Sequence, residues 1–380
     1  MKYFDRSRMQ YSRLSDRKNK VVIAESCIYP ETDTTVISRA VSERAATIAP
    51  EILRAREQKK SIMIVFGAHL IKNGLGKLLG EFARNGWVTH LATNGAGVIH
   101  DWEFAYQGQS SENVRENVQH GRFGTWQETG LNINLGLAVG AYEGLGYGES
   151  IGSMINRQGL LIPTREELKE TITAPFSTAS KVPMWKRGAA SDLLELLDEL
   201  DIKSGWYAVQ HRFPEYSIQA TAYKLGIPFT SHPMFGHDII YTHTANRGSV
   251  IGRTAERDFL SFVQSVANLE GGVYLSVGSA VMSPMIFEKS LSMARNVALQ
   301  SGNDIRNCGI HVVDLQEETW DWSTGEPPMD NPAYYLRFMK SFNRMGCRLD
   351  YTSADNRAFF IALYRALRKL DPEAERRWNG

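Results

Sequence analysis

Short apolar runs alternate with longer amphipathic segments along most of the chain. The run from Ser61 to Phe66 ends at Gly67, and the segment after it places apolar residues at helical spacing as far as Asn85-Gly86. A second apolar run, Trp87 to Thr93, ends at the small-residue stretch Asn94 to Gly97. This pattern predicts strand, turn, helix, strand and turn, with both turns at the carboxyl ends of neighbouring parallel strands.

The same alternation continues towards the C-terminus. The predicted helices are Ser42 to Lys60, Arg165 to Glu170, Ser191 to Leu200, Glu215 to Gly226, Asp258 to Leu269, Pro284 to Gln300, Pro332 to Arg344 and Ala358 to Leu370. The predicted strands are Ile227 to Thr230, Asp238 to Thr242, Val273 to Val277, Ile310 to Leu315 and Arg348 to Tyr351. Strands alternating with helices predict the α/β class, with a doubly wound, mainly parallel, Rossmann-like sheet. No composition shift separates two cores, so we expect one large domain over residues 36–380, preceded by a charged, poorly periodic arm over residues 1–35.

Composition narrows the class of protein. With 380 residues, 43% of them hydrophobic, the chain can bury a large core, and its formal net charge of +1 gives no field that would attract nucleic acid. The N-terminal segment is polar and no run reaches the ~18 apolar residues of a membrane span, so we expect neither export nor membrane insertion. Cys27, Cys308 and Cys347 lack metal-type spacing, and we expect reduced core thiols, no metal and a cytoplasmic location.

The two turns favour a nucleotide. Small residues at Gly67 and at Asn94 to Gly97 let backbone N–H groups approach a ligand without an intervening Cβ. In an open parallel sheet, ligands bind at the carboxyl ends of the strands. The alternative is that glycines in this region, such as Gly74, Gly76 and Gly80, serve only close packing of helix against sheet.

Several motifs, in order, resemble the deoxyhypusine synthase family. They are the two turns, here Ala68-His69-Leu70-Ile71-Lys72 and Asn94-Gly95-Ala96-Gly97-Val98, followed by EYSIQATAYKLGIPF, GHDII, SVGSAVMSPMIFEKSL and YTSADNRAFFIAL. The resemblance covers, discontinuously, about Ser61 to Leu363.

That resemblance implies an NAD-binding fold, a homotetramer with active sites at subunit interfaces, and oxidation of an amine by NAD so that an aminoalkyl group can be transferred. Asp355 resembles the aspartate of the family that binds a ribose of NAD, and Ser279-Ala280 falls on its glycine pair. With the residues of the two turns, the expected cofactor-binding set is Gly67, Ala68, His69, Leu70, Ile71, Lys72, Asn94, Gly95, Ala96, Gly97, Ser279, Ala280, Asp355 and Asn356.

The substrate positions depart from the family. Ile99 and His100 stand where the family has two polyamine-binding glutamates, and Pro284 stands where it has a histidine. Asp238 alone matches one of the acids, and Lys340 is the lysine nearest to the one that carries the transferred group. Burying a polyamine's ammonium groups requires paired carboxylates. We therefore expect a different substrate, a small amine or an amino-acid-like molecule.

Each candidate catalytic group has a structural alternative. His100 could accept a proton at a cleft edge, or it could merely lie beside Asp101 at a helix start. Lys340 could form a Schiff base, although a solvated helical lysine is the favoured interpretation. His232, His237 and His243 flank Asp238, and we favour polar pocket or core residues over a metal site.

Three hypotheses follow. The first is an NAD-dependent enzyme acting on a small amine or an amino-acid-like substrate, with His100 and Asp238 as the polar catalytic groups. The second is true deoxyhypusine or homospermidine-type aminobutyl transfer that uses Lys340. The third is a non-catalytic NAD-binding or assembly protein.

Overall fold

The apolar runs pair into a parallel sheet in the computed structural model, which describes residues 1–175, 182–317 and 319–374. The strands of these residues are β1 (Asn19–Val22), β2 (Ile62–Phe66), β3 (His90–Thr93), β4 (Gln109–Glu112), β5 (Gly159–Ile162), β6 (Gly205–Ala208), β7 (Phe229–Ser231), β8 (Val273–Val277), β9 (Gly309–Asp314) and β10 (Arg348–Ser353). The helices are α1 (Ile23–Ser26), α2 (Arg39–Glu57), α3 (Ala68–Lys72), α4 (Gly76–Arg84), α5 (Gly95–Gln107), α6 (Val114–Gln119), α7 (Gln127–Glu143), α8 (Tyr147–Arg157), α9 (Arg165–Thr173), α10 (Met184–Glu199), α11 (Ile218–Leu225), α12 (Gly248–Ala267), α13 (Met282–Gln300), α14 (Arg337–Asn343) and α15 (Asn356–Leu370).

The chain divides into two units, each with its own sheets. Unit 1 comprises Met1–Glu25, Val98–Lys224 and Pro233–Asp258, and it holds the antiparallel pairs β1–β4 and β5–β6. Unit 2 comprises Ser26–Gly97, Leu225–His232 and Phe259–Gly380, and it holds a six-stranded sheet.

The sheet of unit 2 has the strand order of dinucleotide-binding folds. Its order is β10-β9-β8-β2-β3-β7, and every neighbouring pair is parallel. If the six strands of this sheet alone are numbered 1 to 6 in chain order, the order read from β7 is 3-2-1-4-5-6. The direction of winding reverses between β2 and β8, which are neighbours in the sheet. The predicted α/β class with a doubly wound, mainly parallel sheet is confirmed.

Helices cover both faces of this sheet. Met63 and Val65 of β2 belong to one hydrophobic cluster with apolar residues of α12, α13 and α14. Outside that cluster, α2 and α15 pack together and contact β2, β8 and β9. All five residues of β2 are buried, as expected for a strand covered on both faces.

In unit 1, a buried ion pair ties the N-terminal segment to α5. The guanidinium of Arg17 donates to both carboxylate oxygens of Glu103, at 2.7 and 2.6 Å, and Ser110 and Thr129 also donate to Glu103. Nearby α7 is buried over most of its length. Neither α7 nor any other helix within the described ranges is long and apolar enough to cross a membrane.

Two of the predicted elements that differ from the structure do so for a clear physical reason. The helix predicted after β2 is broken into α3 and α4, because Gly74 has φ +81° and a Cβ there would lie 1.9 Å from the Ser26 carbonyl oxygen. The strand predicted over Asp238 to Thr242 is wrong, since Ile239–Thr242 forms a 3-10 helix instead. A five-residue apolar run has too little periodicity to separate these possibilities.

The prediction of three reduced thiols is also wrong. Cys308 and Cys347 form a disulfide, with Cα atoms 5.2 Å apart, and Cys27 is the free cysteine. The cause is register: β9 and β10 are parallel neighbours in which Gly309 pairs with Arg348, so the residues just before them face each other. The inference to a reducing compartment rested on free thiols and loses that support.

Alkylation should therefore label a single cysteine. Under denaturing conditions without reductant, iodoacetamide should modify only Cys27, and after reduction it should modify all three cysteines, as read by mass spectrometry. In the Cys27→Ser variant, reduction should lower the free energy of unfolding by about 4 kcal/mol, because the bond closes a loop of 39 residues. Three labelled cysteines without reductant would contradict the bond.

Candidate functional site

The carboxyl ends of β2 and β8 meet where the sheet reverses its winding. The Gly67 amide donates to the Val277 carbonyl oxygen at 3.1 Å. A Cβ on Gly67 would lie 2.2 Å from the carbonyl oxygen of Gly278, which itself has φ +57°. The two turns therefore touch backbone to backbone, and no other residue type fits at Gly67 without moving the neighbouring turn.

Exposed groups beside this contact come from both turns. His69, Gly278 and Ala280 are exposed, and Ala68 is half-buried. Burial, with a smaller effect from the positive charge of Lys72, holds the pKa of His69 below its usual value, which favours the neutral imidazole. By contrast, the side chains of Leu70 and Ile71 are each only 1% exposed, so these residues can offer a ligand only their backbone.

The turn after β3 is fixed by hydrogen bonds within unit 2. The Thr93 hydroxyl donates to the Phe66 carbonyl oxygen at 2.9 Å, and the Gly97 amide donates to the Asn94 side-chain oxygen at 3.0 Å. A Cβ on Gly97 would lie 2.2 Å from the Thr93 hydroxyl, so Gly97 serves helix–strand packing. Asn94 and Ala96, both half-buried, are the members of this turn that reach the surface.

The remaining predicted cofactor residues begin helices. The Ser279 hydroxyl accepts from the Ser283 amide, in the first turn of α13, at 3.2 Å, and Asp355 is the N-cap of α15 and accepts from the Arg357 amide at 2.9 Å. Asn356 accepts from the Asn73 side chain at 2.9 Å. Asp355 follows the edge strand β10, two strands or roughly 10 Å from β8.

His100 and Asp101 lie in unit 1 within buried hydrogen-bond networks. The Nδ1 atom of His100 lies 2.7 Å from the Ser110 hydroxyl, which donates to Glu103. Asp101 accepts from the Ser217 hydroxyl at 2.5 Å and from the first amides of α11. Burial raises the pKa of Asp101, and these bonds oppose the rise. Asp101 is thus a capping carboxylate, but of α11 rather than of its own helix.

Asp238 is a buried carboxylate that lacks a hydrogen-bond partner among the described residues. It is 8% exposed, and burial raises its pKa to about 7. The hydroxyls of Tyr147 and Tyr241 are also buried without a partner in the described part of unit 1. Burial, and then the negative charge of Asp238, raises the pKa of both phenols. Buried polar groups normally have partners, so this group is suited to receive a ligand.

Lys340 lies in the middle of α14, in unit 2. It is half-buried, and its Nζ atom lies 3.3 Å from the centre of the Tyr334 ring, a cation–π contact.

The three histidines around Asp238 are separated. His237 is exposed, whereas His243 is buried, accepts from the Ala245 amide at 3.0 Å and lies against Tyr11. His232 belongs to unit 2, where it joins a buried chain with His90, a residue that the sequence analysis did not single out. Within the described ranges, no group of three or more histidine, cysteine or acidic side chains is arranged to hold a metal ion.

Unit 1 also contains a cavity of about 530 Å³. Tyr106, Glu128, Asn132, Tyr207 and Arg212 are among its lining residues, and none of the predicted site residues is. Asn132 is only 6% exposed.

Comparisons with known proteins give structural matches alone. No protein-family model and no curated protein matches the chain.

AgrE in its ternary complex with ornithine and NAD+ is 14% identical with a TM-score of 0.44, and the match covers 90% of this chain and 35% of that one. A putative LOR/SDH protein from Methanococcus maripaludis S2 is 12% identical with a TM-score of 0.43, and the match covers 90% of this chain and 74% of that one. ArgZ, an arginine dihydrolase from cyanobacteria, is 15% identical with a TM-score of 0.40, and the match covers 87% and 33%. This chain thus spans about a third of the length of AgrE and ArgZ. None of the three structures named supports deoxyhypusine synthase specifically.

Asp238 should make stability fall as pH rises. Its carboxyl pKa is 3.8 in the unfolded chain and about 7 in the fold, so the folded protein keeps a proton that the unfolded protein releases between these values. The stabilisation is full near pH 4 and is lost as pH rises through 7, by on the order of 4 kcal/mol. Asp238→Asn should match the wild type near pH 4 and exceed its melting temperature near pH 8. Equal melting temperatures at both values would contradict the buried, unpaired carboxyl.

Proposed function

We propose that this protein is an NAD-dependent enzyme that acts on a small amine or an amino-acid-like substrate. The observation that carries the proposal is the backbone contact of Gly67 with Gly278, at the winding reversal of a sheet with dinucleotide-binding strand order.

The residues at this contact fit a dinucleotide. A pyrophosphate needs backbone without side chains in the way, which the exposed Gly278 provides, while the absence of a Cβ on Gly67 lets the two turns meet. The 19-residue helix α13 begins just after the exposed Ala280, so the positive end of its dipole lies at the same turn. In this proposal, the turns 67–72 and 94–97 and residues 279–280 hold NAD, with Asp355 and Asn356 further along the same edge.

The buried carboxylate supports an amine as substrate. Bound NAD would supply the acceptor for a hydride from the carbon that bears the amine. Asp238 lacks a hydrogen-bond donor, and an ammonium group would satisfy it, with the hydroxyls of Tyr147 and Tyr241 as further polar contacts. The single acid favours one ammonium group over the several of a polyamine. His100, hydrogen-bonded to Ser110, is the proposed second polar group.

The alternatives use the same fold differently. The sequence motifs support a deoxyhypusine-type reaction, but that reaction needs a desolvated lysine amine beside the nicotinamide. Lys340 is half-buried against Tyr334 in mid-helix, which disfavours it. A non-catalytic NAD-binding protein would have no need of an unpaired buried carboxylate, which costs stability at neutral pH.

We further propose that the chain assembles with copies of itself, as a homotetramer, using α13 for one contact. Val281, Met285, Lys289, Met293 and Val297 follow at four-residue intervals, and the four apolar members are exposed. In a two-fold contact this stripe would face its own copy, and Glu288 beside Lys289 supplies the opposite charge for the partner's lysine. Ridges of this spacing favour a helix crossing near −50°.

NAD should bind, and Gly67→Ala should abolish binding. The added Cβ would meet the Gly278 carbonyl oxygen at 2.2 Å, which pushes the two turns apart. Ala280→Trp tests the same crevice at an exposed position where folding is not at risk, and we expect at least a tenfold weaker affinity. Gly252→Ala is the matched control, since nothing lies within 4 Å of the added Cβ. Calorimetry with NAD and NADP measures this, and no heat with either at millimolar concentration would exclude the cofactor.

Substitution of Asp238 should lower the turnover rate, whereas substitution of Lys340 should leave it largely unchanged. With NAD and a panel of amino acids and short diamines, NADH formation should fall about a hundredfold in Asp238→Ala or His100→Ala if either group is the acid or base. Lys340→Ala should keep most of the activity. A stable adduct on Lys340 after incubation with NAD, spermidine and borohydride would instead establish deoxyhypusine-type transfer.

Light scattering should report an assembly rather than a single 42.7 kDa chain at micromolar concentration. Met285→Glu places a charge inside the proposed apolar stripe and should reduce the assembly size, whereas Gln300→Glu at the end of the helix should not. A wild-type protein that scatters as one chain would refute self-association.

A further inference from the structure

A chain of hydrogen bonds runs along one face of the sheet of unit 2, from the carboxyl ends of its strands (the carboxyl edge) to their amino ends (the amino edge). The Ser265 hydroxyl lies 2.8 Å from Nδ1 of His90, and Nε2 of His90 lies 2.9 Å from the Thr230 hydroxyl. The same hydroxyl lies 3.0 Å from Nε2 of His232. His90 is fully buried, and Thr230 and His232 are only 2% and 7% exposed.

Strand register brings these side chains together. Thr230 of β7 pairs with Ala92 of β3, so His90, two residues before Ala92, and His232, two residues after Thr230, point to the same face. Phe262 of α12 packs edge-on against both imidazoles, with ring centres 5.4 and 5.1 Å apart. The chain is therefore held between the sheet and one helix.

The two ends of the hydrogen-bond chain lie at opposite ends of the strands. Ser265 lines a cavity of about 740 Å³ with Ser61, Thr89 and Asn268, residues that precede strands or end α12 at the amino edge. At the carboxyl edge, the His232 amide donates to the Thr93 carbonyl oxygen at 2.8 Å, directly before Asn94. These two edges are roughly 10 Å apart, because three residues along a strand separate the amino and carboxyl ends.

Both imidazoles are neutral, so each has one N–H group and one lone pair. Burial lowers the pKa of His90 and of His232 to about 3, and for His90 the neighbouring His232 adds to the effect. The three bonds can be satisfied in either direction, because each imidazole and each hydroxyl can donate or accept. In the direction that a relay from the carboxyl ends of the strands needs, His232 Nε2 donates to Thr230, Thr230 donates to His90 Nε2, and His90 Nδ1 donates to Ser265. Nδ1 of His232, which has no hydrogen-bond partner among the described residues, is then left as an acceptor at the carboxyl edge.

We propose that His232, Thr230, His90 and Ser265 form a proton relay from the cofactor crevice to water at the amino edge. The inference rests on the proposed function. In that reaction, a protonated primary amine loses a hydride from its carbon to NAD+ and one proton from its nitrogen, and it becomes a protonated imine with a carbon–nitrogen double bond.

The transfer balances at every atom. The released proton bonds to Nδ1 of His232, whose Nε2–H proton passes to the Thr230 oxygen. The original Thr230 proton passes to Nε2 of His90, whose Nδ1–H proton passes to Ser265, and the original Ser265 proton leaves to water in the cavity. No charge stays in the core, and the imidazoles end as the opposite tautomers. Rotation of the two hydroxyls and the reverse tautomer shift reset the chain.

Thr230 provides the test, because it lies in the middle of the relay and away from both edges. Thr230→Val keeps the shape and removes the hydroxyl, so it should lower kcat at least tenfold while KM and NAD affinity stay unchanged. Thr230→Ser should restore most of kcat. Thr254→Val, which removes another buried hydroxyl bonded only within its own helix, is the matched control.

Two readouts separate a relay from a structural role. In mixtures of ordinary and heavy water, the wild-type rate should follow a curved dependence on deuterium fraction, since several protons move together, and the residual rate of Thr230→Val should follow a straight line. In the free wild type, nitrogen NMR of labelled histidines should show His90 protonated at Nδ1 and His232 at Nε2.

A charged ring, the opposite tautomers, or an active wild type whose kcat survives Thr230→Val would overturn the relay. A wild type that binds NAD but oxidises no amine would refute the proposed function, and the relay would fall with it.

Discussion

The close approach of two glycine turns is the constraint on which the account depends. A Cβ on Gly67 would meet the Gly278 carbonyl oxygen, so the ends of β2 and β8 can approach this closely only with glycine at position 67. Five parallel strand pairings bring these ends to one edge, and helices on both faces bury the strands. The amides of Gly67 and Gly278 donate to the Val277 and Val313 carbonyl oxygens. The sheet thus brings two turns without side chains to the carboxyl ends of its strands, and a pyrophosphate there would bind amides that follow these glycines.

Buried polar groups of this protein divide into satisfied and unsatisfied ones. Glu103 and Asp101 have donors for their oxygens, and they hold the N-terminal segment and the start of α11 in place. Asp238 has none in the described chain. Since an unpaired buried carboxylate destabilises a fold at neutral pH, its presence favours a ligand over a structural role.

The sheet of unit 2 was predictable because its strands are continuous apolar runs bounded by turns. Val273 to Val277 was predicted with the bounds that the structure has. The disulfide was not, because Cys308 and Cys347 meet only through the register of β9 with β10. Local sequence reports neither register nor contacts between distant segments. His90 passed unnoticed for the same reason, because its partners, Thr230 on β7 and Ser265 on α12, are distant in sequence.

The sequence predicted which turns form the candidate site, but not which atoms of those turns are exposed to a ligand. The glycine positions indicated the carboxyl ends of the strands. Gly97, however, makes room for the Thr93 side chain rather than for a ligand, and the side chains of Leu70 and Ile71 are buried in the core. The sequence could not separate a ribose-binding aspartate from a helix cap at Asp355, because both need a carboxylate at a helix start.

A crystal structure of the protein grown with saturating NAD tests the central claim most directly. The account predicts a dinucleotide whose pyrophosphate lies against the backbone of Gly67 and Gly278, with no side chain of these turns displaced. Ordered NAD at another place in either unit, or clear density for this turn pair with no nucleotide beside it, would contradict the account.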